Sequence, residues 1–150
     1  MEKLQKIDEY FFRLINSAGW EDMDGIMILI SSKWFWIPLY IYILYLIYKR
    51  FSDQFLKILI VLGLLIFLAD FGSVNLFKEV FERPRPCHLL EGIRVVDGCG
   101  SPFGFISSHA SNCFALAFFC GIIFRNLRMF SLLFSWAVLI GFSRIYLGVH

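Results

Sequence analysis

The chain has 150 residues, of which 59% are hydrophobic and 19% aromatic, against 17% charged. That is one domain's length with too little polar surface to cover an ordinary water-soluble fold. A net charge of +2 with no basic stripe excludes a nucleic-acid-binding surface.

In residues 1–20, Leu4, Ile7, Phe11, Leu14 and Ile15 recur at helical spacing, with Glu2, Lys3, Lys6, Asp8, Glu9 and Arg13 on the remaining positions. The pattern predicts an amphipathic helix lying on a membrane surface and serving as a packing element. No apolar core follows the early lysines, so this is not a cleavable signal peptide.

Residues 25–150 then read as an all-α, polytopic membrane bundle of about four spans. Residues 34–48 are almost purely apolar between Lys33 and Lys49-Arg50, with residues 25–30 as a short apolar piece before them. Residues 56–77 approach the roughly 20 residues a bilayer core requires. Residues 107–124 and 129–149 make the third and fourth spans. A soluble bundle would need polar outer faces on these helices, and none has one. Lys49, Arg50 and Lys57 follow the first span, and Arg125 and Arg128 follow the third, which predicts cytoplasmic loops there. Trp34 and Trp36 fall at the outer end of span one, as in an aromatic belt. The connection 78–106 then lies outside, on the periplasmic side of a bacterial-type inner membrane.

Cys113 and Cys120, seven apart in span three, read as small core residues. Cys87 and Cys99 lie in the outer loop, where oxidation is chemically allowed. A disulfide there would contribute about 3 kcal/mol in the chain-entropy model, and two free thiols also fit. A metal site lacks third and fourth ligands of suitable spacing.

Three polar stretches converge on the outer side. At the end of span two, Lys78 precedes Arg83-Pro84-Arg85-Pro86, where alternate prolines stop the helix near Glu82 and let the arginines fold back toward the lysine. Arginine offers a planar fork for phosphate oxygens and lysine a compact point charge. Span three opens with Ser107-Ser108-His109, a helix start suited to binding an anion, with a histidine in its first turn. Span four ends at Ser143-Arg144 and His150; an arginine in an apolar helix is costly unless it faces protein or an anion. Asp70, about two turns before Lys78, either orients a basic site residue or merely ties spans together.

These stretches resemble the type-2 phosphatidic acid phosphatase family, which shares its core with vanadium haloperoxidases and glucose-6-phosphatase. The family pattern Lys-x6-Arg-Pro matches Lys78 through Arg85-Pro86, which selects Arg85 over Arg83. Pro-Ser-Gly-His matches Ile106 to His109, and Ser-Arg-x5-His matches Ser143-Arg144 through His150. The resemblance implies a metal-independent phosphatase without cofactor. Lys78, Arg85 and Arg144 would hold phosphate oxygens, Ser107 would add a hydroxyl and Ser108 a backbone NH. His109 would protonate the leaving oxygen, and His150 would attack phosphorus to give a phosphohistidine. The partner is then a lipid phosphate or diphosphate in the bilayer: isoprenoid diphosphate, phosphatidate-like lipid or lipid A phosphate. A lipid phosphotransferase and a non-catalytic headgroup-binding protein are the alternatives.

The chain departs from the pattern at three places. Ile106 stands for proline, Ser108 stands for glycine, and the aspartate four residues past the last histidine would fall beyond His150. The last membrane helix of the family would also fall beyond it, so the chain is expected to be a single domain incomplete at its C-terminus, in preference to a degenerate relative.

Overall fold

The computed structural model describes residues 2–149, and the side chains among them except those of Glu2 and Leu4. His150 lies outside the described residues. The described residues form helices and no strand: α1 (Glu2–Ser17), α2 (Glu21–Ser31), α3 (Ile37–Arg50), α4 (Phe55–Gly72), α5 (Glu79–Phe81), α6 (Pro86–Leu89), α7 (Ser108–Phe124) and α8 (Leu127–Tyr146). A π-helical stretch, Ser73–Lys78, joins α4 to α5.

Local chemistry sets the ends. The Asn126 side chain accepts the NH groups of Arg128 and Met129 at 3.0 and 3.1 Å and so caps α8. Pro38 sits in the first turn of α3, where its missing donor costs nothing. Glu82 turns left-handed at φ 42° to end α5, two residues before the first proline of the Arg-Pro repeat.

The antiparallel pair α7 and α8 is the centre, with α4 against α7 and with α1 and α2 against α8. Backbones approach closely there because the facing residues are small. Ala117 and Ala137 are fully buried, and a Cβ on Gly121 would stand 2.7 Å from the Phe130 ring. Helices whose outer surface is apolar gain little from hiding side chains from lipid, so tight packing of small residues holds them together. Cys113 and Cys120 join this core as free, buried thiols, with Ile43 and Ile47 of α3 and Trp136 and Ile140 of α8. The Trp136 ring meets Trp36 and Tyr40 edge-on at 5.5 and 6.1 Å.

Two helical runs are long and apolar enough to cross a membrane, Ser52–Phe81 and Leu127–Tyr146. Of the other two expected spans, α7 is apolar but 17 residues long and α3 has 14. α4 has no buried residue, and Leu56, Ile60, Leu64, Phe67 and Leu68 are all exposed. α4 thus presents an apolar outer surface.

α1 is amphipathic as expected, yet Ile7, Phe11 and Leu14 remain exposed, while Phe12 and Asn16 are buried. The Asn16 amide donates to the carbonyls of Arg94 and Tyr146 at 2.8 and 3.0 Å and accepts from the Arg94 NH at 2.8 Å. One side chain therefore ties the N-terminal helix, the outer loop and the end of α8.

Candidate active site

The π-helical stretch inserts an extra residue per turn just where α4 reaches the start of α7, which turns Ser73 and Lys78 toward it. Ser73 is buried, and its hydroxyl donates to the Asp70 carbonyl at 2.7 Å. With that proton committed, the 2.6 Å contact between the Ser73 and Ser108 hydroxyls requires Ser108 to donate. Lys78 Nζ then donates to Ser108 Oγ at 3.1 Å. The relay Lys78, Ser108, Ser73, Asp70 carbonyl has one proton direction throughout, and it holds the ammonium against the first turn of α7.

Ser108, where the family pattern has glycine, is the first residue of α7 and has ordinary helical geometry. The substitution therefore demands no positive φ, its NH is one of those a helix start leaves unbonded, and its hydroxyl positions Lys78. Ser107 occupies the N-cap position without making a side-chain cap bond. Its hydroxyl is buried and has no hydrogen-bond partner among the described residues.

Arg85 is buried, and burial lowers its pKa from the ordinary value because the cation is desolvated. The Arg-Pro strip pairs with residues 102–104: Arg85 NH donates to the Pro102 carbonyl at 2.9 Å and Gly104 NH to the Arg83 carbonyl at 3.0 Å. The Arg85 guanidinium donates from Nη1 to the Val149 carbonyl at 2.9 Å and from Nη2 to Ser101 Oγ at 3.2 Å. Arg83 instead pairs with Asp8 of α1 at the surface. The two arginines therefore have different partners, Arg85 in the interior and Arg83 at the surface.

Arg144 donates to Ser31 Oγ at 2.6 Å and lies 3.7 Å from the Asp97 carboxylate. Its charge and those of Lys78 and Arg85 act on one another, and those of Lys78 and Arg144 reach His109. Three cations so placed repel, and an anion among them relieves the repulsion. His109 lines a cavity of about 260 Å³ with Ser108, Asp70, Ser31, Lys33 and Asn112. Ser107, Arg144 and Arg83 line a second cavity, about 320 Å³, whose far wall is Phe11, Phe12 and Ile15 of α1.

Asp70 does not pair directly with Lys78. Its carboxylate accepts from the Asn112 side chain at 3.5 Å, and its backbone carbonyl ends the serine relay. Ser73, Ser31, Asp97 and Asn16 were not singled out by sequence. A serine in an apolar helix near the motif lysine was the one signal available for Ser73.

Cys87 and Cys99 form a disulfide with Cα atoms 6.1 Å apart, and His88 Nε2 lies 3.3 Å from Cys99 Sγ. His88 is thus a third metal-ligand type beside the pair, which spacing alone did not reveal. The bond closes residues 87–99, and Ser101, the partner of Arg85, follows two residues after Cys99. Reduction, or Cys87→Ser with Cys99→Ser, is expected to lower the thermal unfolding midpoint in detergent by about 5 °C or more. A shift below about 1 °C in a reductant-controlled melt would show that the loop holds without it.

Residues 54–150 match the model of the PAP2 superfamily, and the chain belongs to that superfamily. It is 34% identical over 155 residues to a lipid A 4'-phosphatase of Porphyromonas gingivalis, covering 100% of this chain and 66% of that protein. It is 32% identical over 146 residues to a lipid A 4'-phosphatase of Bacteroides thetaiotaomicron, covering 93% of this chain and 64% of that one. The chain thus spans about two thirds of the length of these relatives. The crystal structure of Aquifex aeolicus LpxE is similar with a TM-score of 0.72 and 29% identity, over 94% of this chain and 81% of that chain.

Proposed function

We propose that the protein is a multi-pass membrane phosphatase that releases phosphate from a lipid headgroup on the periplasmic side of a bacterial inner membrane. The observation that carries this reading is the placement of Lys78 on Ser108 at the open start of α7 and of Arg85 on the Val149 carbonyl, just past the last turn of α8 that bears Arg144. Among lipid phosphates, the names of the two relatives favour a lipid A-like phosphorylated disaccharide over isoprenoid diphosphates or phosphatidate. The four-span arrangement is supported by the apolar exposed surface of α4 and by the basic residues between helices.

In this reading Lys78, Arg85, Arg144, the Ser107 hydroxyl and the Ser108 NH bind the equatorial oxygens and offset their growing charge. A nitrogen of His150 attacks phosphorus as the bond to the lipid oxygen breaks, and His109 gives its proton to that oxygen. Water then attacks the phosphohistidine and returns a proton to His109, so histidine and phosphate are both released. These residues supply the cations, nucleophile and acid of the reaction without calling on a metal.

The test is inorganic phosphate release from a panel of lipid phosphates in detergent micelles, for the parent, His150→Ala and His109→Ala. Release by the parent, with trapping of acid-labile phosphate on protein that His150→Ala abolishes, is expected. Phosphate appearing on a second lipid alcohol would make the enzyme a phosphotransferase. Binding that survives His150→Ala, with no release by the parent, would leave a headgroup-binding protein.

A further inference from the structure

Lys33 lies in the connection between α2 and α3, outside residues 54–150 that match the superfamily model. By sequence it reads as a flanking charge at a membrane edge. In the fold it lines the cavity of about 260 Å³ that also contains Ser108 and His109, together with Ser31, the partner of Arg144. Its charge reaches the His109 ring alongside those of Arg144 and Lys78.

Its circumstances differ from those of the other cations. Lys78 is held by Ser108, Arg85 by Val149 and Ser101, and Arg144 by Ser31 and Asp97. Lys33 is exposed, its ammonium lies 5.8 Å from the Trp34 ring centroid, and among the described residues no carboxylate pairs with it. The same cavity contains Trp36 and Tyr40, flat surfaces of the kind that seat a sugar ring. Lys78, Arg85 and Arg144 do not line this cavity, so a phosphate held among them leaves the cavity and its unpaired cation for the rest of the headgroup.

We propose that Lys33 is a specificity-determining residue that binds a second phosphate monoester on the headgroup, distinct from the one being cleaved. This rests on the phosphatase reading for the position of the first phosphate. Such a contact favours doubly phosphorylated headgroups over singly phosphorylated ones. Removing a charge-assisted contact of this kind weakens binding by about tenfold.

The experiment is calorimetric binding of two deacylated probes, a glucosamine disaccharide with one phosphate and the same disaccharide with two, to the parent, Lys33→Ala and Lys33→Arg, each checked by thermal melting. The parent is expected to bind the two-phosphate probe about tenfold more tightly; Lys33→Ala removes that margin with little effect on the one-phosphate probe, and Lys33→Arg restores most of it. Equal affinity of the parent for the two probes overturns the proposal, as does equal weakening of both by Lys33→Ala, which would assign Lys33 to the cleaved phosphate. Binding of neither probe also overturns it. A parent that shows the margin but releases no phosphate from the acylated lipids contradicts the phosphatase reading and leaves this contact standing.

Discussion

Replacing Arg85 with lysine is expected to lower kcat/KM for phosphate release by about 10²–10³, the range for loss of one fixed donor to a developing oxyanion. The charge survives in that variant, so the loss isolates geometry. The guanidinium reaches Val149 and Ser101 in two directions from one plane, and an ammonium on a flexible stem cannot reproduce both. A buried Val149 carbonyl left without its donor costs about 1–3 kcal/mol, so the end of α8 shifts as well. Space around Arg85 is set by glycines: a Cβ on Gly104 would stand 2.8 Å from Arg85 Cγ, and one on Gly100 3.4 Å from Cζ. Gly104→Ala should therefore reproduce part of the loss with every cation retained. Steady-state rates within threefold of the parent for Arg85→Lys would remove this residue from the phosphate site.

The contrast between Arg85 and its neighbours also shows what a sequence can and cannot disclose here. Proline spacing announced the end of the helix near Glu82, and the structure turns the chain at that residue. The motif lysine, arginines and helix start were legible because phosphate chemistry restricts residue types, whatever lies between them. The cysteine pair in α7 was legible as core from helical spacing. Asn16 was not, since its polarity suits the wet face of an amphipathic helix; only the fold makes it the buried partner of two carbonyls, 78 and 130 residues away. Ser73 was obscured for a different reason. Its role depends on a π-helical turn, and an apolar helix without a polar face has no periodicity in which an extra residue per turn would register. Ser108 reads in the sequence only as a departure from the family glycine, and its helical position makes its hydroxyl the acceptor for Lys78.

Gly148→Ala is expected to abolish most activity and to destabilise the fold, although the side chain added is a single methyl. α8 ends in a Schellman turn: Gly148 NH donates to the Ile145 carbonyl at 3.1 Å and Val149 NH to the Arg144 carbonyl at 3.2 Å, with Gly148 at φ 79°. The turn delivers the Val149 carbonyl to Arg85. An alanine there meets two separate penalties. The left-handed conformation costs about 1–2 kcal/mol for a residue with a Cβ. The Cβ also runs into the Arg94 carbonyl oxygen and stands 3.3 Å from the Asn16 amide nitrogen, in a segment where Leu147 and Val149 are fully buried. Overpacking of that kind typically costs about 1–3 kcal/mol more. Asparagine separates the two effects. It tolerates the left-handed conformation better than alanine but carries the same Cβ, so Gly148→Asn should fail nearly as badly if the Arg94 carbonyl is the obstacle. Gly92, at φ 71° with open space around it, is the matched control, where asparagine should be accepted with little change. The readouts are the melting midpoint and phosphate release of the three variants side by side. Recovery by Gly148→Asn would mean that conformation alone demands glycine and that the Arg94 loop yields to a side chain.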